Sequence, residues 1–127
     1  MQDQHLFEYA VIRVVPRVER EEFINVGVIL YCKKKRYLQS QVAINEERLK
    51  ALAPLLDISQ VRDYLHALQR ICRGEKTSGI IGNLDQPSRF RWLTATRSTV
   101  VQTSRIHPGF CTNLDATLDQ LFVQYVL

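Results

Sequence analysis

The feature that most constrains the fold is a run of ten residues at 6–15, which is rich in β-branched and aromatic residues and ends at Pro16. Apolar side chains fall on both faces of a strand with this sequence, so we predict that it lies in the centre of a β-sheet. A second strand is predicted at 25–32, where Gly27 marks a bulge or the close approach of another backbone. A third is predicted at 37–44, where the alternation of apolar and polar residues indicates a half-exposed strand.

Helix signals follow these three strands. Asn45 is the predicted N-cap of a first helix that ends before Pro54. Asp57 and Gln60 resemble a capping box that opens a second helix, and Gly74 supplies its stop. The second helix carries an apolar stripe at helical spacing, made of Ile58, Val61, Leu65, Leu68 and Cys72.

The remaining chain is predicted to hold a loop, a hairpin and a last helix. The loop is long and polar and covers 74–88. The hairpin strands are predicted at 89–94 and 98–104, and the His-Pro-Gly sequence at 107–109 is typical of a turn. The last helix is predicted to begin near Thr112 or Asn113, because apolar residues recur at helical spacing from there on.

The order of these elements predicts the fold class. Three strands, two helices, two strands and a helix favour a single α+β domain at 1–127. Its antiparallel sheet consists of a three-strand meander plus a hairpin, and about three helices cover it. With 127 residues, of which 46% are hydrophobic and 24% charged, the chain is long enough to bury a core without disulfide or metal staples.

The cysteines and the terminal sequence predict a compartment. Cys32, Cys72 and Cys111 are odd in number, widely spaced and form no Cys-x-x-Cys pair, which favours reduced thiols in a cytoplasm. The amino terminus has no signal-peptide pattern, and no apolar run approaches the roughly 20 residues that a membrane helix needs. We therefore expect a soluble cytoplasmic protein.

The positive charge is concentrated in one segment. No acidic residue lies between Asp85 and Asp115, whereas four arginines do: Arg89, Arg91, Arg97 and Arg105. The whole chain has 17 basic and 13 acidic residues, so these four arginines account for the entire net charge of +4. A local basic surface of this kind can hold a phosphate or an acidic partner.

We predict an anion site centred on Arg97. Ser98 and Thr99 follow it directly, so a guanidinium, two hydroxyls and backbone N–H groups meet at a predicted turn. The predicted hairpin brings Arg89 or Arg91 close enough to supply a second guanidinium. The anion-binding candidates are Arg89, Arg91, Arg97, Ser98, Thr99 and His107. The alternative is that these arginines pair with Glu19, Glu21 or Glu22 from elsewhere in the fold.

Arg13 lies in the middle of the first predicted strand, between apolar residues. A charge buried there is costly unless it is paired, so we predict a structural ion pair with Glu8, Glu21 or Glu22. Arg13 and Glu22 are the structural ion-pair candidates.

Five stretches of the sequence resemble a known family. They are Arg13-Val-Val-Pro16, Glu22-Phe-Ile-Asn-Val-Gly-Val-Ile-Leu30, Arg89-Phe-Arg-Trp-Leu93, Arg97-Ser-Thr99 and His107-Pro-Gly109. In this order they are similar to the bacterial family catalogued as domain of unknown function 3037, over essentially the whole chain. The resemblance implies no reaction and no catalytic residues. It does imply a partner, a HipA-like protein with a kinase fold, whose gene is often adjacent.

The leading hypothesis is an accessory domain that binds an anionic group or a partner protein and does no chemistry itself. No convincing acid, base or nucleophile set accompanies the arginines, and no metal or cofactor is predicted. Nucleic-acid binding is the second hypothesis and requires Lys33–Arg36 to share a face with the arginine segment. The third is an enzyme acting on a phosphorylated substrate, with Arg97, His107 and Cys111 arranged around the 74–88 loop.

Overall fold

The computed structural model describes residues 3–127, which form five strands and five helices. The strands are β1 (His5–Val14), β2 (Ile24–Cys32), β3 (Tyr37–Val42), β4 (Val101–Thr103) and β5 (His107–Cys111). The helices are α1 (Glu46–Leu52), α2 (Ile58–Arg73), α3 (Gly79–Gly82), α4 (Gln86–Leu93) and α5 (Leu114–Tyr125), and a 3₁₀ turn covers Val18–Arg20. The predicted α+β class is confirmed, although the helices outnumber the three expected. Within 3–127, none of the helices has both the length and the apolar composition of a membrane span.

Strand β1 lies in the centre of an antiparallel sheet, as predicted. One of its edges pairs with β2, which in turn pairs with β3. Its other edge is shared by two short strands, because β5 pairs with residues 5–9 and β4 with residues 12–14. The ten-residue strand β1 is therefore hydrogen-bonded to three of the other four strands, β2, β4 and β5.

Gly27 lies at a bulge in β2. Ile12 pairs with Gly27 and Arg13 with Asn25, so Val26 is left without a partner on β1. A Cβ on Gly27 would also lie 2.7 Å from the carbonyl oxygen of Gln41 on β3. Both alternatives predicted for this glycine, a bulge and a close backbone approach, are confirmed.

Helices α1, α2 and α4 pack on one side of the sheet, which we call the α2 face. The stripe predicted for α2 contributes Val61, Leu65, Leu68 and Cys72 to this core. The sheet contributes Ala10, Ile12, Val14, Val26, Ile29, Tyr31 and Leu38, and the other helices contribute Leu49, Phe90 and Leu93.

Helix α5 packs on the other side, the α5 face, along β2 and β3. A smaller core forms there from Phe7, Val28, Leu30, Cys32, Leu118, Phe122 and Val126. Alternation along β1 and β2 explains why both faces are apolar, since successive side chains point to opposite sides.

The predicted helix ends are confirmed by their caps. Asn45 Oδ1 accepts the N–H of Arg48, and Asp57 Oδ1 accepts the N–H of Gln60. Asn113 caps α5 in the same way, through the N–H of Ala116 at 3.0 Å. Gly74 ends α2 at a φ of 69°, in the left-handed region that favours glycine.

The strand predicted at 89–94 is wrong, because these residues belong to α4. Asp85 Oδ1 accepts the N–H of Ser88 at 2.9 Å, and a proline lies in the first turn, so the helix begins before the arginines. Phe90 and Leu93 are three residues apart and are both buried on the α2 face. The predicted loop at 74–88 correspondingly contains α3 and the start of α4.

The rest of the predicted hairpin is also corrected. The strand predicted at 98–104 is shortened to β4, which pairs with β1 rather than with a hairpin partner. The predicted turn at 107–109 is part of β5. Gly109 fits there because it lies against Phe7, whose Cζ would be 2.5 Å from a Cβ at this position.

Candidate functional site

The chain reverses direction after α4 and brings Arg97 back to the end of that helix. The hydroxyl of Thr94 donates to the carbonyl oxygen of Phe90 at 2.8 Å in the last helical turn. Arg97 then donates a guanidinium hydrogen bond to the carbonyl oxygen of Trp92. This carbonyl lies in the last turn of α4, where it also accepts the N–H of Ala95 at 3.4 Å.

The guanidinium of Arg97 lies over the ring of Trp92. The distance from Cζ to the ring centroid is 4.0 Å, which is well within cation–π range. Arg97 is half-buried, and burial lowers the pKa of its guanidinium from the ordinary value. Trp92 is itself 38% exposed and supports the arginine.

Arg97 borders a cavity of about 280 Å³ between α2, α4 and β4. Val101 and Thr103 belong to its wall because they pair with Val14 and Ile12 and point to the α2 face. The residues that line this Arg97 cavity are Tyr64, Ala67, Leu68, Ile71, Trp92, Leu93, Ala95, Arg97, Thr99, Val101, Gln102 and Thr103. Most of these residues are apolar or aromatic, and Arg97 carries the only charge that residues 3–127 contribute to the lining.

No carboxylate neutralises Arg97 within the described part of the chain. The ion pairs there are Arg20–Glu22, Arg62–Glu46, Arg70–Glu75 and Arg73–Glu75. None of these pairs joins Arg89, Arg91 or Arg97 to Glu19, Glu21 or Glu22.

The two hydroxyl residues after Arg97 have different environments. Thr99 lines the cavity, and its hydroxyl donates to the carbonyl oxygen of Val101 at 2.7 Å. Ser98 is exposed and does not line the cavity. The hydroxyls of Tyr64 and Thr103 add further polar groups from α2 and β4.

Arg89 and Arg91 lie on α4 away from the Arg97 cavity. Arg89 donates from Nη1 to the carbonyl oxygen of Leu84 at 2.7 Å, and its guanidinium packs against Gly74. Its Nε is buried and has no hydrogen-bond partner in the part of the chain that the structure describes. Arg91 is exposed. The predicted second guanidinium therefore does not line this cavity.

His107 and Cys111 lie on the opposite side of the sheet. They pair with Tyr9 and His5 on β1 and share the α5 face with them. The ring of His107 packs against that of Tyr9, with centroids 5.3 Å apart. Because Arg97 is on the α2 face, the three residues of the enzyme hypothesis are not brought together.

Arg13 and Glu22, the predicted structural pair, have separate neighbours. Glu22 is bonded to Arg20. The guanidinium of Arg13 lies over Phe23, with Cζ 4.0 Å from the ring centroid.

A larger cleft, of about 630 Å³, lies between the segment after β1 and the loop that joins α1 to α2. Its walls include Arg17, Arg20, Glu22, Leu55 and Asp57. Arg20 has a carboxylate partner in Glu22. Arg17 has none among the ion pairs of residues 3–127, but it is exposed, whereas Arg97 is half-buried.

The sequence-based prediction missed the contribution of α2 to the site. Tyr64, Ala67, Leu68 and Ile71 recur at helical spacing and form a second apolar stripe beside the core stripe. That second stripe was readable from the sequence and marks the side of α2 that borders the cavity.

The basic turn Lys33–Arg36 contacts the start of α4. Gln86 Nε2 donates to the carbonyl oxygen of Arg36 at 2.9 Å, and all four residues of the turn are exposed. The turn therefore lies beside the helix that carries Arg89 and Arg91.

Comparison with known proteins gives one match. The model of a family described as "Protein of unknown function (DUF3037)" matches residues 9–126. No curated protein and no solved structure matches the chain.

Proposed function

The chain belongs to the family described as protein of unknown function (DUF3037), and from that premise we propose that it is a non-catalytic domain that binds a partner protein at the Arg97 cavity. The occupant is a segment of the partner that combines an acidic group with an apolar side chain. The acidic group contacts Arg97, and the apolar side chain enters between α2 and β4.

One observation carries this proposal: a half-buried guanidinium, stacked on Trp92 and without a carboxylate partner in residues 3–127, borders an apolar cavity. A charge removed from water needs an opposite charge or a set of hydrogen bonds to compensate it. An arriving carboxylate supplies that charge and can bond the guanidinium with both oxygens.

The volume of the cavity favours a side chain over a larger ligand. Small-molecule pockets measure roughly 300–1,000 Å³, and this one, at about 280 Å³, falls just below that range. Burial of an apolar side chain there contributes about 25 cal/mol for each Å² removed from water.

The lining also supports binding without catalysis. Among the residues that line the cavity there is no histidine, cysteine, aspartate or glutamate. The groups that most often transfer protons or attack a substrate are thus missing from the walls that the structure describes.

Hexanoate tests the site, because it joins a carboxylate to a short apolar chain. At ten times its dissociation constant, a ligand adds about 1.4 kcal/mol, which raises the melting temperature by roughly 3–6 °C. We expect this shift with hexanoate, a smaller one with acetate and none with hexylammonium. Arg97→Gln removes the shift, and Arg91→Gln, an exposed arginine outside the cavity, keeps it. Equal shifts in the two variants would disprove the site.

The partner we propose is the HipA-like kinase-fold protein that the family resemblance implies, in the cytoplasm. The three free cysteines are compatible with that compartment. Co-purification of the two proteins is expected with the wild type and with Arg91→Glu, and not with Arg97→Glu. Association that is unaffected by Arg97→Glu would place the interface elsewhere.

Nucleic-acid binding is a second candidate, favoured by the hydrogen bond between Gln86 and the carbonyl of Arg36. This hydrogen bond brings the basic turn Lys33–Arg36 beside α4, the helix that carries Arg91. The two groups of cations together form a larger basic surface. A gel-shift series at rising salt tests it, since affinity for a phosphate backbone falls steeply with salt. Absence of binding at low salt removes this candidate.

A further inference from the structure

Arg13 is another half-buried arginine without a carboxylate partner among residues 3–127, and it lies on the opposite face from Arg97. It alternates with Ile12 and Val14, which are buried on the α2 face, so its side chain lies on the α5 face. None of the ion pairs in residues 3–127 includes it. The Arg97 cavity and the partner proposed for it therefore do not account for this residue.

The guanidinium of Arg13 is held in a fixed orientation. Its Cζ lies 4.0 Å from the centroid of the Phe23 ring, and Phe23 is itself 44% exposed. Nε of Arg13 is buried and has no hydrogen-bond partner among residues 3–127. Arg13 is half-buried as a whole, so the Nη1 and Nη2 end of the planar group is the part left to meet solvent or a ligand.

Amide side chains flank Arg13 on both neighbouring strands. Asn25 is its partner on β2 and Gln102 is its partner on β4. Asn25 Nδ2 donates to the carbonyl oxygen of Tyr125 at the end of α5, and Gln102 Nε2 donates to the carbonyl oxygen of Thr99. Both amide NH₂ groups are thus engaged with backbone, and Asn25 Oδ1 is buried without a partner. Within residues 3–127, Arg13 Nε and Asn25 Oδ1 are thus two buried polar atoms without hydrogen-bond partners on neighbouring strands.

The main contacts of α5 are with strands other than the one that carries Arg13. Helix α5 packs along β2 and β3, whereas Arg13 and Gln102 lie on β1 and β4. Burial lowers the pKa of Arg13, which reflects the cost of holding its charge there. The stack on Phe23 offsets only part of that cost, because an aromatic ring attracts a cation more weakly than a carboxylate does.

We propose that Arg13, held on Phe23 between Asn25 and Gln102, binds the oxyanion of a small ligand, a carboxylate or a phosphate. The oxyanion accepts two parallel hydrogen bonds from Nη1 and Nη2, a geometry that a lysine ammonium cannot reproduce. The exposed ring of Phe23 contacts the rest of the ligand. Arg13 lies on the α5 face and Arg97 on the α2 face, and Gln102 on β4 borders both.

Nuclear magnetic resonance of the arginine Nε–H groups tests the site in the full chain. Inorganic phosphate and acetate are titrated separately to millimolar concentrations, with sodium chloride at matched ionic strength as the control. We expect one of the two anions to move the Arg13 Nε–H resonance to saturation, and the better anion identifies the ligand class. Chloride is expected to leave that resonance in place.

Variants separate this site from the Arg97 cavity. Arg13→Lys keeps the charge and is expected to weaken binding of the better anion at least tenfold, and Phe23→Leu weakens it less. Arg97→Gln leaves the Arg13 response unchanged, so failure at one site is distinguishable from failure at the other. An Arg13 resonance that neither anion moves, or that chloride moves equally, overturns the proposal, whether or not Arg13→Lys folds. In that case the stack on Phe23 is purely structural.

Discussion

The guanidinium carbon of Arg97 lies 4.0 Å from the ring centroid of Trp92, a residue five positions earlier in the chain. Helix α4 presents the ring, and the reversal after Thr94 returns the arginine to it. Helix α4 therefore positions Arg97, although the sequence pattern predicted a strand for residues 89–94. Five measurable consequences follow from this and other contacts.

Arg97→Ala is expected to lower the free energy of unfolding by about 1 kcal/mol, because it removes one cation–π contact and one hydrogen bond at a partly exposed site. Urea unfolding measures this. Arg91→Ala is the control and is expected to cost under about 0.5 kcal/mol, as an exposed residue does. A loss of several kcal/mol in Arg97→Ala would reveal a structural ion pair in place of a ligand site.

Gly27→Ala is expected to destabilise the sheet by about 3 kcal/mol or more, because the new Cβ would lie 2.7 Å from Gln41 O and from Val42 Cγ1. Gly79→Ala is the matched comparison. Nothing lies within 4 Å of a Cβ there, so only its φ of 85° opposes the change, at a cost of about 1 kcal/mol. Urea midpoints in the reverse order would contradict the bulge.

Leu49→Ala and Leu55→Ala form a pair in the same region of the chain. Leu49 is 0% exposed and Leu55 is 97% exposed. We expect the first change to cost about 2–5 kcal/mol and the second less than about 0.5 kcal/mol. Calorimetry of both variants checks the packing of α1, and a small loss for Leu49→Ala would mean that α1 does not close the core.

Stability is expected to fall in alkali because of Tyr9. Burial, followed by the hydrogen bond with Tyr125, raises the pKa of Tyr9 from 10.0 to about 12. The folded state thus keeps this proton at a pH where the unfolded chain loses it, and the free energy of unfolding drops as pH rises from about 10 to about 12. Below pH 10 the contribution is complete.

Urea unfolding of wild type and Tyr9→Phe, across that pH range, measures the effect. The variant is expected to show a shallower decline, and Tyr64→Phe, which alters an exposed tyrosine on α2, should decline as steeply as wild type. Identical slopes for Tyr9→Phe and wild type would refute the assignment to Tyr9.

The three thiols are expected to react at different rates with iodoacetamide. Burial raises the pKa of Cys72 to about 11, so little thiolate forms near neutral pH. The same burial also keeps the reagent away from the thiol. Cys32 is buried as well, whereas Cys111 is half-buried on β5. Mass spectrometry of the native protein should find Cys111 modified first, and Cys111→Ser should suppress the early product. Early modification of Cys72 would indicate that α2 opens from the sheet.

The sequence was sufficient for the central part of the fold. The apolar run at 6–15 predicts β1 because only an inner strand buries both of its faces. The caps at Asn45 and Asp57 are local interactions within three residues, so their side chains predict them without any knowledge of the tertiary structure.

Residues 89–94 show why the rest was not predictable from alternation alone. Charged and aromatic residues alternate over 89–92, as in a strand. Phe90 and Leu93 also have the spacing of one helical face. Both are buried on the α2 face, where Phe90 stacks on Tyr31, so the helical pattern is the one that the fold adopts. Asp85, which caps α4 by accepting the N–H of Ser88, was the residue in the sequence that indicated a helix here. The stack of Arg97 on Trp92 depends on where the following loop returns, which no local pattern encodes.

The division of one edge of β1 between β4 and β5 has a kinetic consequence. The ten residues at 5–14 find β2 nearby in the chain, but their other edge stays open until residues 101–111 arrive. The chain loses conformational entropy when this long loop closes, before the new strand pairs stabilise it. Domains whose contacts join residues far apart in the sequence therefore fold slowly. We expect a meander of β1, β2 and β3 to form early. Until β4 and β5 pair with β1, its free edge is exposed to other chains. Dilution and low temperature during refolding should therefore raise the yield of folded, unaggregated protein.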